Sequence, residues 1–184
     1  AGFLDGNGKT ITGLIVDERT EKNSAGLFGN IGDNAGAATT VGAKDLNIVD
    51  ARIYATDEGM ERSSSAILAG YVMANFGHTI RFDNISVSGT ITNTKVGKTM
   101  ISGGLIGEVC RATVDNCQAD VTIKGGDNTG GFVGIDASSP YTNCKVTGKV
   151  TGLWAIGGFV GYAQEADPRT MSTFKNCVAE VDIV

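Results

Sequence analysis

The chain lacks the features that several protein classes need. Of its 184 residues two are proline and one is histidine, and its 27 glycines follow no Gly-X-Y period, which excludes a collagen. No segment approaches the roughly 20 apolar residues of a membrane-spanning helix, so we expect no membrane insertion. Lysine and arginine form no run and the net charge is −5, so we expect no nucleic-acid partner.

The residues for metal or acid-base chemistry are also scarce. The chain has no C-x2-C pair and a single histidine, His78, so neither a zinc centre nor a catalytic triad is indicated. We expect His78 to lie in a solvated loop. The carboxylates that could form a glycosidase pair are Asp115, Asp120, Asp127, Asp136 and Asp167. Of these, Asp115 and Asp120 share one strand block and point to opposite faces, so we predict no catalytic residue, metal site or cofactor.

What the chain does contain is a short glycine motif that recurs along its length. Five copies are present, at spacings of 41, 37, 27 and 27 residues between their last glycines. They are AGLFG (25–29), AILAG (66–70), GGLIG (103–107), GGFVG (130–134) and GGFVG (157–161). The repeated unit is therefore 27 residues long, with insertions in the earlier copies.

A second block follows each copy and aligns without gaps. It reads DLNIVDARI (45–53), DNISVSGTI (83–91), DNCQADVTI (115–123), TNCKVTGKV (142–150) and KNCVAEVDI (175–183). Apolar and polar columns alternate with a period of two and β-branched residues are common, which indicates half-buried strands. Even the best helical segment, SSAILAGYVMANF (64–76), coincides with a repeat motif and is predicted to be strand.

These repeats predict an all-β fold. One repeat cannot bury its own apolar face, so neighbouring repeats must stack in register. We predict a single domain over residues 1–184, a single-stranded parallel β-helix (solenoid) of about five coils, each of 27 or more residues. The sequence opens in mid-pattern and stops at AEVDIV, inside a predicted strand, which favours a piece of a longer protein.

The motif copies GLFG, GLIG and GFVG resemble the GLUG motif of bacterial secreted and cell-surface proteins. The opening LDGNGKTITGLIV is similar to the coil that often begins such arrays, so the resemblance covers essentially the whole chain. It implies a right-handed β-helix and an extracellular or cell-surface location in bacteria. Such repeats occur in the non-catalytic regions of streptococcal zinc metallopeptidases that cleave immunoglobulin A. The motif carries no catalytic residue that could be transferred.

Two columns of the second block are expected to be structural ladders. Asn84, Asn116, Asn143 and Asn176 align, with Leu46 in the first copy, and predict a ladder of side-chain amides at a bend. Cys117, Cys144 and Cys177 align with Asn47 and Ile85 in an inward column. We expect these cysteines to be buried free thiols, although an extracellular location would favour disulfides. Cys110 could reach that column only around a corner.

Aromatic residues on or near predicted loops are the candidate ligand contacts: Tyr54, Tyr141 and Trp154, together with Met60. We place functional variability in the insertions 32–41 and 57–65. The favoured hypothesis is a non-catalytic extracellular module for display, spacing or adhesion, with an extracellular protein or glycan and neighbouring domains of the parent protein as partners. A carbohydrate-active enzyme or glycan-binding module, and a recognition domain of a larger surface protease, are the alternatives.

Overall fold

The computed structural model describes residues 2–18, 24–32, 40–56, 63–75, 78, 80–93, 100–165 and 171–184. Every regular element in these ranges is a β-strand, so the prediction of an all-β protein is confirmed. The strands are β1 (Phe3–Thr12), β2 (Ile15–Glu18), β3 (Phe28–Gly32), β4 (Val41–Ala55), β5 (Ser63–Ser65), β6 (Ala69–Met73), β7 (Ile80–Asn93), β8 (Met100–Gly103), β9 (Ile106–Cys110), β10 (Ala112–Asp115), β11 (Gln118–Lys124), β12 (Asn128–Gly130), β13 (Val133–Ala137), β14 (Pro140–Thr142), β15 (Lys145–Thr151), β16 (Ala155–Gly157), β17 (Val160–Gln164), β18 (Thr173–Lys175) and β19 (Val178–Ile183).

The strands form three sheets, and all strand pairs within them are parallel. Sheet A has ten strands: β1 and β2 pair with β4, β4 pairs with β7, and β10, β11, β14, β15, β18 and β19 continue the sheet on both halves of β7. Sheet B has the order β16-β12-β8-β5, and sheet C has the order β17-β13-β9-β6-β3. From β4 onward the chain visits sheets A, B and C in this order and then returns to sheet A, repeatedly. Before β4, the described residues pass from β2 in sheet A to β3 in sheet C, with an isolated bridge from Ala25 to Ser65 of sheet B between them. We call one such passage a repeat.

The register confirms the spacing read from the sequence. Val133 pairs with Ile106 on one side and with Val160 on the other, 27 residues away in each direction. In the earlier repeats the interval is longer, because Phe28 pairs with Ala69 and Ala69 with Ile106. Equivalent residues of successive repeats therefore lie side by side, about 4.8 Å apart.

The first copy of the strand block departs from the gapless alignment. Leu46 pairs with Ile85, so it belongs to the inward cysteine column and the assignment of Asn47 to that column is wrong. Asp45 consequently lies opposite Asn84, and the assignment of Leu46 to the asparagine column is wrong as well.

A β-bulge in strand β4 explains this one-residue shift. The register changes between Ile48 and Ala51, and Asp50 within the bulge has a positive φ of 56°. Ile48 therefore pairs with Val87 and faces the core, whereas Val49 is exposed. The extra residue in the bulge restores the predicted alignment beyond it, where Ile53 pairs with Ile91.

Glycine at the end of each motif lets sheets B and C approach each other. A Cβ atom on Gly134 would lie 2.6 Å from the Gly107 carbonyl oxygen and 2.8 Å from the Ser102 carbonyl oxygen. Such distances do not occur for real Cβ atoms, so this position requires glycine. The motif is therefore a tight corner between a strand of sheet B and a strand of sheet C.

The core lies between sheet A and this corner. Its aliphatic columns come from the inward residues of sheet A, such as Val87, Val146 and Val150. In the later repeats aromatic rings replace aliphatic side chains: Phe132 stacks on Phe159, with 4.6 Å between ring centroids. The part of the chain that the structure describes contains no helix with the length and apolarity that crossing a membrane requires.

Candidate functional site

A groove of about 620 Å³ crosses one face of sheet C. It extends from Asn30 in β3 to Gln164 in β17, and so passes over all five strands of the sheet. Four strand intervals give it a length of roughly 19 Å. The described residues that line it are Ser24, Asn30, Ser64, Tyr71, Met73, Glu108, Cys110, Arg111, Ala137 and Gln164.

Strand alternation and register together build this lining. Tyr71 pairs with Asn30 on one side and with Glu108 on the other, so these three side chains form one column across the groove. Ile135 and Tyr162 continue the column towards the last repeat. The residues that line the groove are therefore far apart in sequence but adjacent in space.

The charged groups of the described lining are Glu108 and Arg111. The Glu108 side chain is 7% exposed, and the Arg111 side chain donates a hydrogen bond from Nε to the Ala74 carbonyl oxygen at 2.8 Å. Burial raises the pKa of the neighbouring Cys110 thiol, against the opposing effect of the Arg111 charge. Cys110 is therefore protonated at neutral pH, and it contributes a small neutral surface rather than a thiolate nucleophile.

Two aromatic rings lie at the end of the groove in the last repeat. Tyr162 precedes Gln164 by two residues in β17 and so shares its face of sheet C. The Trp154 and Tyr162 rings are stacked, with centroids 6.5 Å apart and an interplanar angle of 25°. Trp154 is 76% exposed and Tyr162 is 43% exposed. The pair, which we call the aromatic platform, is a flat apolar surface open to solvent.

A buried carboxylate lies on the other face of the same sheet. Asp136 pairs with the inward Val109 and is fully buried. The Tyr141 hydroxyl donates to Asp136 Oδ1 at 2.7 Å, and the Ser172 hydroxyl donates to Asp136 Oδ2. Burial raises the pKa of Asp136, and hydrogen bonds from Ser172, Tyr141 and Ser139 partly oppose this shift. The cluster thus links strand β13 of sheet C to Ser172, which directly precedes strand β18 of sheet A.

The raised pKa of Asp136 predicts a specific pH dependence of stability. The contribution of a carboxyl group whose pKa is raised by folding is fully present below its unfolded pKa near 3.8 and is lost as the pH rises through its folded pKa. We expect the wild type to gain free energy of unfolding relative to Asp136→Asn when the pH falls from neutral through this range. Urea unfolding of both proteins at a series of pH values measures the difference. A difference that is constant, or that changes in favour of the variant on acidification, would contradict the raised pKa.

The four asparagines form a continuous column on the outside of sheet A. Each has a positive φ between 50° and 54°, a conformation that asparagine tolerates better than most residues. Asn116 donates from Nδ2 to Asn84 Oδ1 at 3.2 Å, and Asn176 donates in the same way to Asn143 Oδ1 at 3.1 Å. Asn143 instead donates to Asp115 Oδ1 at 3.3 Å. The column therefore uses its amide groups for bonds between repeats.

The cysteine column is inward and none of its members is bonded to another. Cys117 and Cys144 are buried, Cys177 is half-buried in the last repeat, and all four cysteines of the chain are free thiols. Burial raises the pKa of Cys144 to about 12 and raises that of Cys117 further. The Cys117 and Cys144 thiols are therefore protonated at any physiological pH, and they pack as small apolar groups.

The predicted contact residues have three different surroundings. Tyr141 is completely buried in strand β14 and bonded to Asp136, so the expectation that it contacts a ligand from a loop is wrong. Tyr54 lies half-buried in strand β4 of sheet A, away from the groove. Trp154 is exposed and belongs to the aromatic platform.

Other candidates are placed only in part. His78 is half-buried, and its backbone amide donates to the Asn75 carbonyl oxygen. Met60, Asp167 and most of the two insertions, 32–41 and 57–65, lie outside the described residues.

Sequence reasoning missed Glu108 and Tyr71, which line the groove, and Tyr162, which belongs to the aromatic platform. Their shared column runs through Asn30, Tyr71, Glu108, Ile135 and Tyr162, and it has no common residue type. The signal that could have found them is their distance from the last glycine of each motif: every one of them follows that glycine directly.

The described residues contain no group of three or more histidine, cysteine, aspartate or glutamate side chains that could hold a metal ion. No protein-family model matches the chain. Neither a curated protein nor a solved structure matches it.

Proposed function

We propose that the chain is a right-handed parallel β-solenoid module of a bacterial secreted or cell-surface protein, used for display, spacing or adhesion. The observation that carries the proposal is the cyclic path through sheets A, B and C, in which equivalent strands of successive repeats pair in register. Stacked repeats of this kind build a rod whose length grows with each repeat. The resemblance of the glycine motif to GLUG arrays supports the handedness and the extracellular location.

The asparagine amides and the buried thiols have structural surroundings, which supports a non-catalytic role. The asparagine column is bonded between repeats, and the buried thiols are protonated. Among the described residues that line the groove there is one carboxylate, Glu108, whereas acid-base cleavage of a glycosidic bond uses two. The other buried carboxylate, Asp136, is held on the opposite face by hydroxyl groups.

Two measurements test this function. Antibodies raised against the chain should label intact cells of the source organism; labelling that appears only after permeabilisation contradicts a surface role. The purified chain should leave uronic-acid polymers and host glycans unchanged in length, and sustained hydrolysis or elimination contradicts a non-catalytic module.

Glycan binding is the second candidate function, because one observation favours it. The aromatic platform is exposed at the end of a polar groove, and a flat ring next to hydrogen-bonding side chains is a surface that suits a sugar.

A further inference from the structure

The groove and the aromatic platform form one continuous surface. Gln164 belongs to the groove, and Tyr162 lies two residues earlier in the same strand on the same face. Trp154 extends this surface by stacking on Tyr162. A ligand lying along the groove from Asn30 would therefore reach the two rings after crossing five strands.

The shape of this surface suits a linear molecule. The groove runs across the strands, and its roughly 19 Å length is set by the strand spacing. A compact ligand would occupy a fraction of that length. An extended chain would contact all five strands of sheet C in turn.

The chemistry of the surface suits an uncharged sugar chain. Ser24, Asn30 and Ser64 supply neutral hydrogen-bonding groups at one end of the groove, and Gln164 does so at the other. Between them, the opposite charges of Glu108 and Arg111 leave the described lining with no net charge. The faces of the Trp154 and Tyr162 rings are electron-rich and attract the weakly positive C–H groups on the face of a pyranose ring. Hydroxyl groups and an apolar face occur together in a saccharide, and both have counterparts here.

The same features disfavour the two other linear polymers. A peptide that binds by strand addition lies along the free edge of a sheet, whereas the groove runs across the strands of sheet C. A nucleic acid needs several cations along its backbone, but the chain carries a net charge of −5 and Arg111 is the one cation among the described lining residues.

We propose that this surface binds an uncharged linear polysaccharide, with the aromatic platform stacking on one sugar and the groove accommodating the units that follow. The site rests on the proposed function, since it gives the display or adhesion module a ligand class. Asn30 and Trp154 mark its two ends.

The single tryptophan makes the test direct, because intrinsic tryptophan fluorescence reports on the aromatic platform alone. The wild-type chain is titrated with the disaccharide and the hexasaccharide of the cello, xylo, manno and chito series, and each affinity is also measured by calorimetry. We expect the hexasaccharide of at least one series to shift the Trp154 emission and to bind more tightly than its disaccharide. Absence of binding in all four series overturns the proposal.

Two variants locate the binding and one is the control. Trp154→Ala should weaken hexasaccharide binding about tenfold or more, the size expected for loss of a ring-stacking contact. Asn30→Ala should weaken binding of the hexasaccharide but not of the disaccharide, because a short ligand cannot span the groove. Tyr54→Leu alters an aromatic residue of sheet A, away from the groove, and should leave both affinities unchanged.

The other results would count against the site. If Asn30→Ala has no effect on the hexasaccharide, the groove is not occupied and the proposal is wrong even if Trp154→Ala weakens binding. If Tyr54→Leu weakens binding as much as Trp154→Ala, the aromatic platform is not the contact. If the wild-type chain neither binds nor cleaves the sugars, the binding site is wrong but the display function is not contradicted. If the wild-type chain shortens the hexasaccharide, the non-catalytic role is contradicted but the binding site is not.

Discussion

Gly131→Ala is expected to lower the free energy of unfolding by about 3 kcal/mol or more, a loss typical of forced overpacking against backbone. Gly131 is the second glycine of the fourth motif, at the corner between sheets B and C. A Cβ atom there would lie 2.2 Å from the Gly158 carbonyl oxygen and 3.1 Å from a Val146 methyl group. The Gly158 carbonyl cannot move away freely, because the backbone amide of Gly131 donates a hydrogen bond to the adjacent Gly157 carbonyl oxygen at 3.0 Å. Urea unfolding followed by circular dichroism measures the loss.

Gly158→Ala is the matched control for this prediction. Gly158 holds the same position in the fifth motif, but a Cβ atom on it would lie 3.5 Å from the Ala179 side chain, an ordinary contact. We expect its free energy of unfolding to change by less than about 0.5 kcal/mol. Equal losses in the two variants would mean that the next repeat does not lie over Gly131.

Phe132→Ala is expected to cost about 3–5 kcal/mol of unfolding free energy, as removal of a large buried ring usually does. The Phe132 ring is fully buried; it stacks on Phe159 at 4.6 Å and meets the Tyr141 ring edge-on at 6.3 Å. Its removal leaves a cavity between sheet A and the corner that the rigid backbone cannot fill. Chemical denaturation gives the loss directly.

The control for the aromatic core is Phe174→Ala. Phe174 stacks on Tyr141 at 5.1 Å, but it lies in the last repeat and is 50% exposed. Its truncation removes less buried surface, so we expect a loss well below that of Phe132→Ala. A larger loss for Phe174 than for Phe132 would contradict the placement of the core.

The repeat made most of the fold predictable, because identical residue types recur where identical environments recur. Ala119 and Val146 hold the same position in successive copies of the strand block, and they pair in the structure. Gly107 and Gly134 both end a motif copy, and the positions of both leave no space for a side chain. A periodic sequence reports its register directly.

The strand register of the first repeat was harder to predict, because it changes within strand β4. The bulge around Asp50 adds one residue, and no sequence signal separates it from the regular alternation on either side. A gapless alignment therefore placed Leu46 in the asparagine column and Asn47 in the cysteine column, each one position away from its true place. Only the pairing with β7 shows that Leu46 faces the core beside Ile85.

The candidate site was predictable only at Trp154. Tyr141 was expected near a loop, but its ring packs inside the aromatic core. Its hydroxyl group donates a hydrogen bond there to Asp136. Glu108 and Tyr162 escaped notice because a groove column needs no common residue type, unlike a core column. Repetition identifies structural positions, and the residues that break it have to be located in three dimensions.

The central claim is that successive repeats stack in parallel register, and nuclear Overhauser contacts in solution test it most directly. The pairing predicts backbone contacts of Ala119 with Val87 on one side and with Val146 on the other, and a further contact of Val146 with Ala179. We expect cross-peaks in which the residue numbers of both paired strands increase together, the parallel pattern. Cross-peaks in which one residue number rises as its partner's number falls, the antiparallel pattern, would contradict the stacked repeats.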